Sequence, residues 1–182
     1  MKPIFTIHAG EFLAADYIER TFRNVNLWVP AKDTGVDLLV SDSKNKSTVS
    51  LQVKFSRDFL ATHMAAVFQK PLRACGWWTL NRQKLITSTA DYWVFVLVGF
   101  ARQTTDFVII TPAELLRRLD AIHGGNPKTF QSYLWITQDK RCWETRGLKR
   151  LDQLAIAHSE YGSVERDFTT HLDKWEPIKE LN

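Results

Sequence analysis

The sequence predicts a mixed α/β fold: a central mixed β-sheet (an α+β mixed sheet) flanked by helices, in a single domain spanning residues 1–182. Three observations predict it. Residues 34–55 hold two runs in which apolar and polar side chains alternate, joined by a polar loop, which is the period of a half-buried β-hairpin. Residues 92–100 are almost continuously apolar and rich in Val and aromatics, the pattern of a strand covered on both faces. Helical periodicity before and after these strands, at 8–23 and 112–123, supplies the covering layers. With 45% apolar and 12% aromatic residues, a chain of 182 residues can bury one sizeable core.

In chain order, residues 8–23 form a helix whose Ala14, Ala15, Ile18 and Phe22 share one stripe, opposite Asp16, Glu19, Arg20 and Arg23. Residues 25–30 read as an edge strand ended by Pro30, and 32–35 as a turn into the hairpin. Residues 56–69 carry Phe59, Leu60, Met64, Val67 and Phe68 at helical spacing, with Ser56 as the N-cap, and Pro71 breaks the pattern. Residues 72–81 stay open between a helix end followed by a short strand and one followed by a loop. A short helix over 81–89 leads to the apolar strand, and residues 105–110 are its neighbour. Thr111 caps a helix with Pro112 in its first turn and Gly124-Gly125 as its stop. Residues 133–137 and 141–143 form a strand pair turning at Gln138-Asp139-Lys140, and 148–158 and 164–175 are predicted as closing helices.

The hairpin brings chemistry together. With Ser41 opposite Thr48, Asp37 falls opposite Gln52, at a Cβ separation of about 4.5–5.5 Å, and Lys54 follows on the same face. A carboxylate, an amide oxygen and an ammonium then converge. Such a set suits a hard cation, which takes oxygen ligands, but taken alone it more often marks an exposed face bearing a surface ion pair. Glu11 sits within the apolar stripe of the first helix, where a carboxylate is costly unless paired or coordinated. It complements the positive helix end, pairs with Lys54, or ligates a metal. His8, three residues earlier, approaches the same cleft or is a surface residue.

Gly10-Glu11 opening a helix, Gly35-Val36-Asp37 opening a strand and Gln52-Val53-Lys54 on the next strand resemble the core of the PD-(D/E)XK nuclease superfamily. The layout is similar to Holliday-junction-resolvase-like nucleases and closer to DUF4365-type proteins. A Trp-Trp-Thr-Leu segment, an Asp-Tyr-Trp-Val-Phe-Val strand and a terminal helix around Trp175 extend the resemblance over most of the chain. It implies a restriction-endonuclease-like core and a Mg2+-dependent nuclease, with Mn2+ able to substitute. The substrate it implies is nucleic acid, DNA first, in a defence, repair or mobile-element setting, with a homodimer left open. Carried over, Glu11 and Asp37 become metal-binding carboxylates, Gln52 the position usually held by Glu or Asp, Val53 a backbone-carbonyl ligand, and Lys54 the catalytic lysine. Gln52 departs from the commonest pattern by removing one negative charge. It motivates a second reading, a catalytically degenerate nuclease fold that binds nucleic acid or a protein partner.

The formal charge of +4 is unevenly spread. Residues 61–150 carry 13 Lys/Arg against 6 Asp/Glu, whereas 151–182 carry 3 against 7. Arg102, Arg117, Arg118, Lys128, Lys140, Arg141, Arg146, Lys149 and Arg150 are candidate phosphate contacts as a group, each individually readable as a solvated surface residue. Among seven tryptophans, Trp77-Trp78 either fills the core or offers a ring to an unpaired base. Cys75 and Cys142 form no Cys-x-x-Cys pair and have no histidine at zinc spacing, so both are expected reduced and structural. No run reaches the length of a membrane span or a signal peptide, and a cytoplasmic location with no membrane contact is expected.

Overall fold

A computed structural model describes residues 8–32, 34–60 and 65–182. In chain order the elements are α1 (Ala9–Thr21), β1 (Val25–Trp28), β2 (Leu38–Asp42), β3 (Thr48–Ser56), α2 (Ala66–Gln69), β4 (Leu72–Asn81) and α3 (Arg82–Ile86). There follow β5 (Tyr92–Gly99), β6 (Thr104–Ile110), α4 (Pro112–His123), β7 (Thr129–Thr137), β8 (Cys142–Glu144), α5 (Arg150–Ala157) and α6 (Glu176–Lys179). Five strands form a mixed sheet in the order β1-β2-β3-β5-β6, with β3 and β5 parallel and the other pairs antiparallel. The hairpin register is the expected one, Leu38 opposite Leu51 and Ser41 opposite Thr48.

One face of this sheet receives α1. Ala14, Ala15 and Ile18 pack with Leu38, Val40, Leu51 and Val53, and Trp175 and Ile178 close the same layer from the C-terminal segment. The opposite face meets a second sheet, β4-β7-β8, across Trp93, Phe95, Leu97, Trp78 and Leu134. That second sheet has a core of its own on its far side, where Trp135, Trp143 and Cys75 meet Phe68 and Ile156. Five of the seven tryptophans, Trp78, Trp93, Trp135, Trp143 and Trp175, are buried, which decides for the core reading in those cases. Cys75 and Cys142 are free and buried, and burial pushes both thiols up, away from reactivity.

Three expectations are corrected. Residues 72–81 form a ten-residue strand, β4, paired with β7 through Cys75–Trp135 and Trp77–Tyr133. Alternate apolar residues there serve two cores at once, which masks the period. Ser56 is no helix cap. It ends β3, and its hydroxyl accepts the N–H of Trp77 at 3.0 Å, while the buried Asp58 carboxylate accepts from Leu60 and Phe100. Residues 61–64 of that predicted helix lie outside the described residues, as does His63. Residues 164–175 are not a helix. They contain isolated bridges, Trp143–Asp167 and Val108–Leu172, around a 3-10 turn at Thr169–His171. Their carbonyls are satisfied from elsewhere: Arg118 Nη1 donates to those of Val164, Glu165 and Asp167 at 2.9, 3.1 and 2.8 Å.

Among the described residues, no helix is long and apolar enough to cross a membrane.

Candidate active site

The cleft forms where β2 stops. Asp37 immediately precedes β2, and its N–H donates to the Leu51 carbonyl at 2.8 Å, so the backbone holds it one step before Leu38 in the register. Beyond Leu51 the edge of β3 loses its ladder partner, and the Val53 N–H is taken by Asp37 Oδ2 instead, at 2.8 Å. N–H and C=O of one strand residue point the same way. The Val53 carbonyl therefore faces the same notch.

Glu11 enters from α1. Gly10 makes this possible: a Cβ built on it would lie 2.5 Å from the Cβ of Phe55, so only a residue without a side chain lets the helix start approach β3 this closely. Glu11 is 7% exposed, and its Oε2 accepts the His8 N–H at 3.2 Å, closing the first turn. Gly10→Ala is expected to force the helix start away from β3 and cost about 1–3 kcal/mol of stability. In a Phe55→Gly background, which lacks the opposing Cβ, the same Gly10→Ala change should cost less in a urea titration.

His8, Gly10, Glu11, Asp37, Gln52, Val53, Lys54 and Phe55 thus line one open cleft of about 500 Å3. All five predicted site residues and His8 are brought together. Lys54 and Gln52 share the face turned from α1, and the Lys54 ammonium lies 5.0 Å from the ring centroid of the buried Trp93. Trp93 is itself oriented by its indole N–H, which donates to Ser88 Oγ at 2.9 Å. Lys84 also lines the cleft. It belongs to the short helix α3, whose start is capped by the Asn81 side chain accepting the Lys84 N–H at 3.0 Å. The sequence predicts a short helix here, but nothing in it returns this turn to the hairpin.

The donors around the notch are two carboxylates, an amide oxygen and a backbone carbonyl, all hard oxygens, and they fit magnesium or manganese better than a softer metal. Among the described residues no group of three or more His, Cys, Asp or Glu side chains could hold a metal ion. The carboxylate count is therefore low for such a site. Two lysines beside it offset much of its negative charge and suit an anionic substrate.

Of the nine basic residues considered for phosphate contact, five have other work. Arg117 and Arg118 bind Glu114, Lys140 binds Asp106 and Asp173, Arg141 lies 3.6 Å from Asp167, and Arg102 donates to the carbonyls of Gln69 and Lys70. Lys128, Arg146, Lys149 and Arg150 remain exposed.

The chain matches no family model, no curated protein and no solved structure.

Proposed function

We propose that this protein is a divalent-metal-dependent nuclease of the PD-(D/E)XK type, acting on phosphodiester bonds, first of all in DNA. The observation that carries the proposal is the convergence of Glu11, Asp37, Gln52, Val53 and Lys54 on one cleft, with the Asp37 carboxylate fixed by the Val53 N–H. Glu11, Asp37, the Gln52 amide oxygen and the Val53 carbonyl would hold the cation, Mg2+ or Mn2+. When bound, it would polarise the scissile phosphate and lower the pKa of an attacking water. Lys54 orients that water, held in place by the Trp93 ring beneath its ammonium. Lys84 and His8 line the walls against which the phosphate backbone lies. Hydrolysis adds water across one P–O bond, and the released oxygen leaves with the proton.

The neutral amide of Gln52 favours a second reading, in which the fold binds nucleic acid or a protein partner without cutting. Incubating the protein with plasmid, single-stranded and branched DNA, in magnesium, manganese or chelator and beside a Lys54→Ala control, separates the two. Metal-dependent cleavage lost in Lys54→Ala supports the nuclease. Absence of cleavage from every substrate supports the binding protein. Gln52→Glu restores the commoner carboxylate and should lower the metal concentration for half-maximal cleavage about tenfold, since site charge tunes cation affinity.

A further inference from the structure

Beside the cleft, the outer face of the second sheet carries a continuous stack of rings and guanidiniums. The Arg57 guanidinium lies 4.9 Å from the Phe59 ring centroid, and Phe59 meets both Trp77 and Tyr133 at 6.3 Å. Trp77 and Tyr133, paired across β4 and β7, have centroids 5.4 Å apart and planes inclined by 32°. Arg146 closes the far end, 5.0 Å from the Trp77 ring. Both arginines are exposed, and among the described residues neither makes an ion pair. The adjacent acids are turned inward: the Asp58 carboxylate is taken by two backbone N–H groups, and the fully buried Glu144 accepts the N–H groups of Tyr133 and Arg146. The strip therefore presents positive charge over aromatic rings.

Its position ties it to the cleft through Arg57 and through Trp77. Arg57 follows Lys54 by three residues, and Ser56 between them bonds the Trp77 backbone. β4 runs on from Trp77 past the exposed Thr79 to Asn81, which caps the helix carrying Lys84 into the cleft. A strand leaving the cleft past Arg57 would meet the strip next.

We propose that Arg57, Phe59, Trp77, Tyr133 and Arg146 bind an unpaired stretch of nucleic acid, so that the substrate carries a single-stranded segment beside the scissile bond. The link to a scissile bond rests on the nuclease reading; the binding does not. Guanidinium planes and aromatic rings stack on any exposed base, whereas bases inside a duplex have both faces covered. The same two arginines neutralise phosphates of the bound strand. A protein partner would need acidic groups to match these cations, and a duplex would engage only the charges.

Fluorescence anisotropy in chelator tests this with a labelled single-stranded oligonucleotide and the duplex of the same sequence. Trp77→Ala removes the central ring, and the exposed pair Arg57→Gln/Arg146→Gln removes the charges of the strip and leaves every ring in place. Trp77→Ala should weaken single-strand binding about tenfold or more while changing duplex binding much less, and the double variant should weaken both. Wild type binding the duplex as tightly as the single strand, equal loss on both in Trp77→Ala, or no single-strand loss in either variant overturns the proposal. Single-strand binding of this kind without any cleavage overturns the nuclease reading and leaves the strip standing. Cleavage without single-strand preference does the reverse.

Discussion

Asp37→Asn is expected to reduce cleavage by a factor of about a thousand or more at any practical magnesium concentration. The substitution keeps an oxygen where Asp37 Oδ2 accepts the Val53 N–H, so the hairpin start should hold its geometry. What it removes is the negative charge. With Gln52 already neutral, Glu11 would remain the one carboxylate among the proposed ligands, and the transition-state charge stabilisation a cation provides is worth several kcal/mol. At 1.36 kcal/mol per decade, that loss corresponds to about three orders of magnitude. Circular dichroism and a thermal melt should show Asp37→Asn folded like the wild type, and nucleic-acid binding in chelator should be retained. Activity equal to wild type would mean that Asp37 serves only the backbone.

The largest effect on stability is expected away from the cleft, at Asp106. This carboxylate, fully buried on β6, accepts Arg73 Nε from β4 at 2.8 and 3.1 Å and Lys140 Nζ from the β7–β8 turn at 2.5 Å. Lys140 also binds Asp173, whose Oδ1 accepts the Phe107 N–H. One network thus joins the two sheets and the C-terminal segment. Asp106→Ala leaves two cations facing each other across a buried gap. Breaking a buried pair from one side costs roughly 3–5 kcal/mol, and because Arg73 and Lys140 both reach solvent, about 3 kcal/mol is expected here. For a chain of this length that lowers the Tm by about 10 °C. A Tm within a degree or two of wild type would show that the network is satisfied by water.

The main sheet and the candidate site were legible because their signals are local. Alternation in the hairpin set the faces, the polar loop set the register, and Glu11 stood out as a charge on an apolar stripe. β5 announced itself by a continuous apolar run, and β6 followed as its neighbour. What was not legible depended on distant partners. β4 serves cores on both faces, so Gly76-Trp77-Trp78 shows neither period clearly, and the second sheet it builds had no local signature. The segment at 164–175 has a helix-like apolar spacing, but Arg118, nearly fifty residues earlier, satisfies the carbonyls of the turn it forms instead. Lys84 joins the cleft only because β4 and α3 carry it back to β3. The same long-range placement sets Trp77 beside Phe59 and Tyr133 in a ring stack rather than in the core with Trp78.

The most direct test of the central claim is anomalous scattering from crystals soaked in millimolar manganese. The account predicts a single strong peak in the cleft, about 2.1–2.2 Å from oxygens of Glu11, Asp37 and Gln52 and from the Val53 carbonyl, lost in Asp37→Asn. A cleft without a peak, in crystals where Glu11 and Asp37 are well ordered and open to solvent, would contradict it.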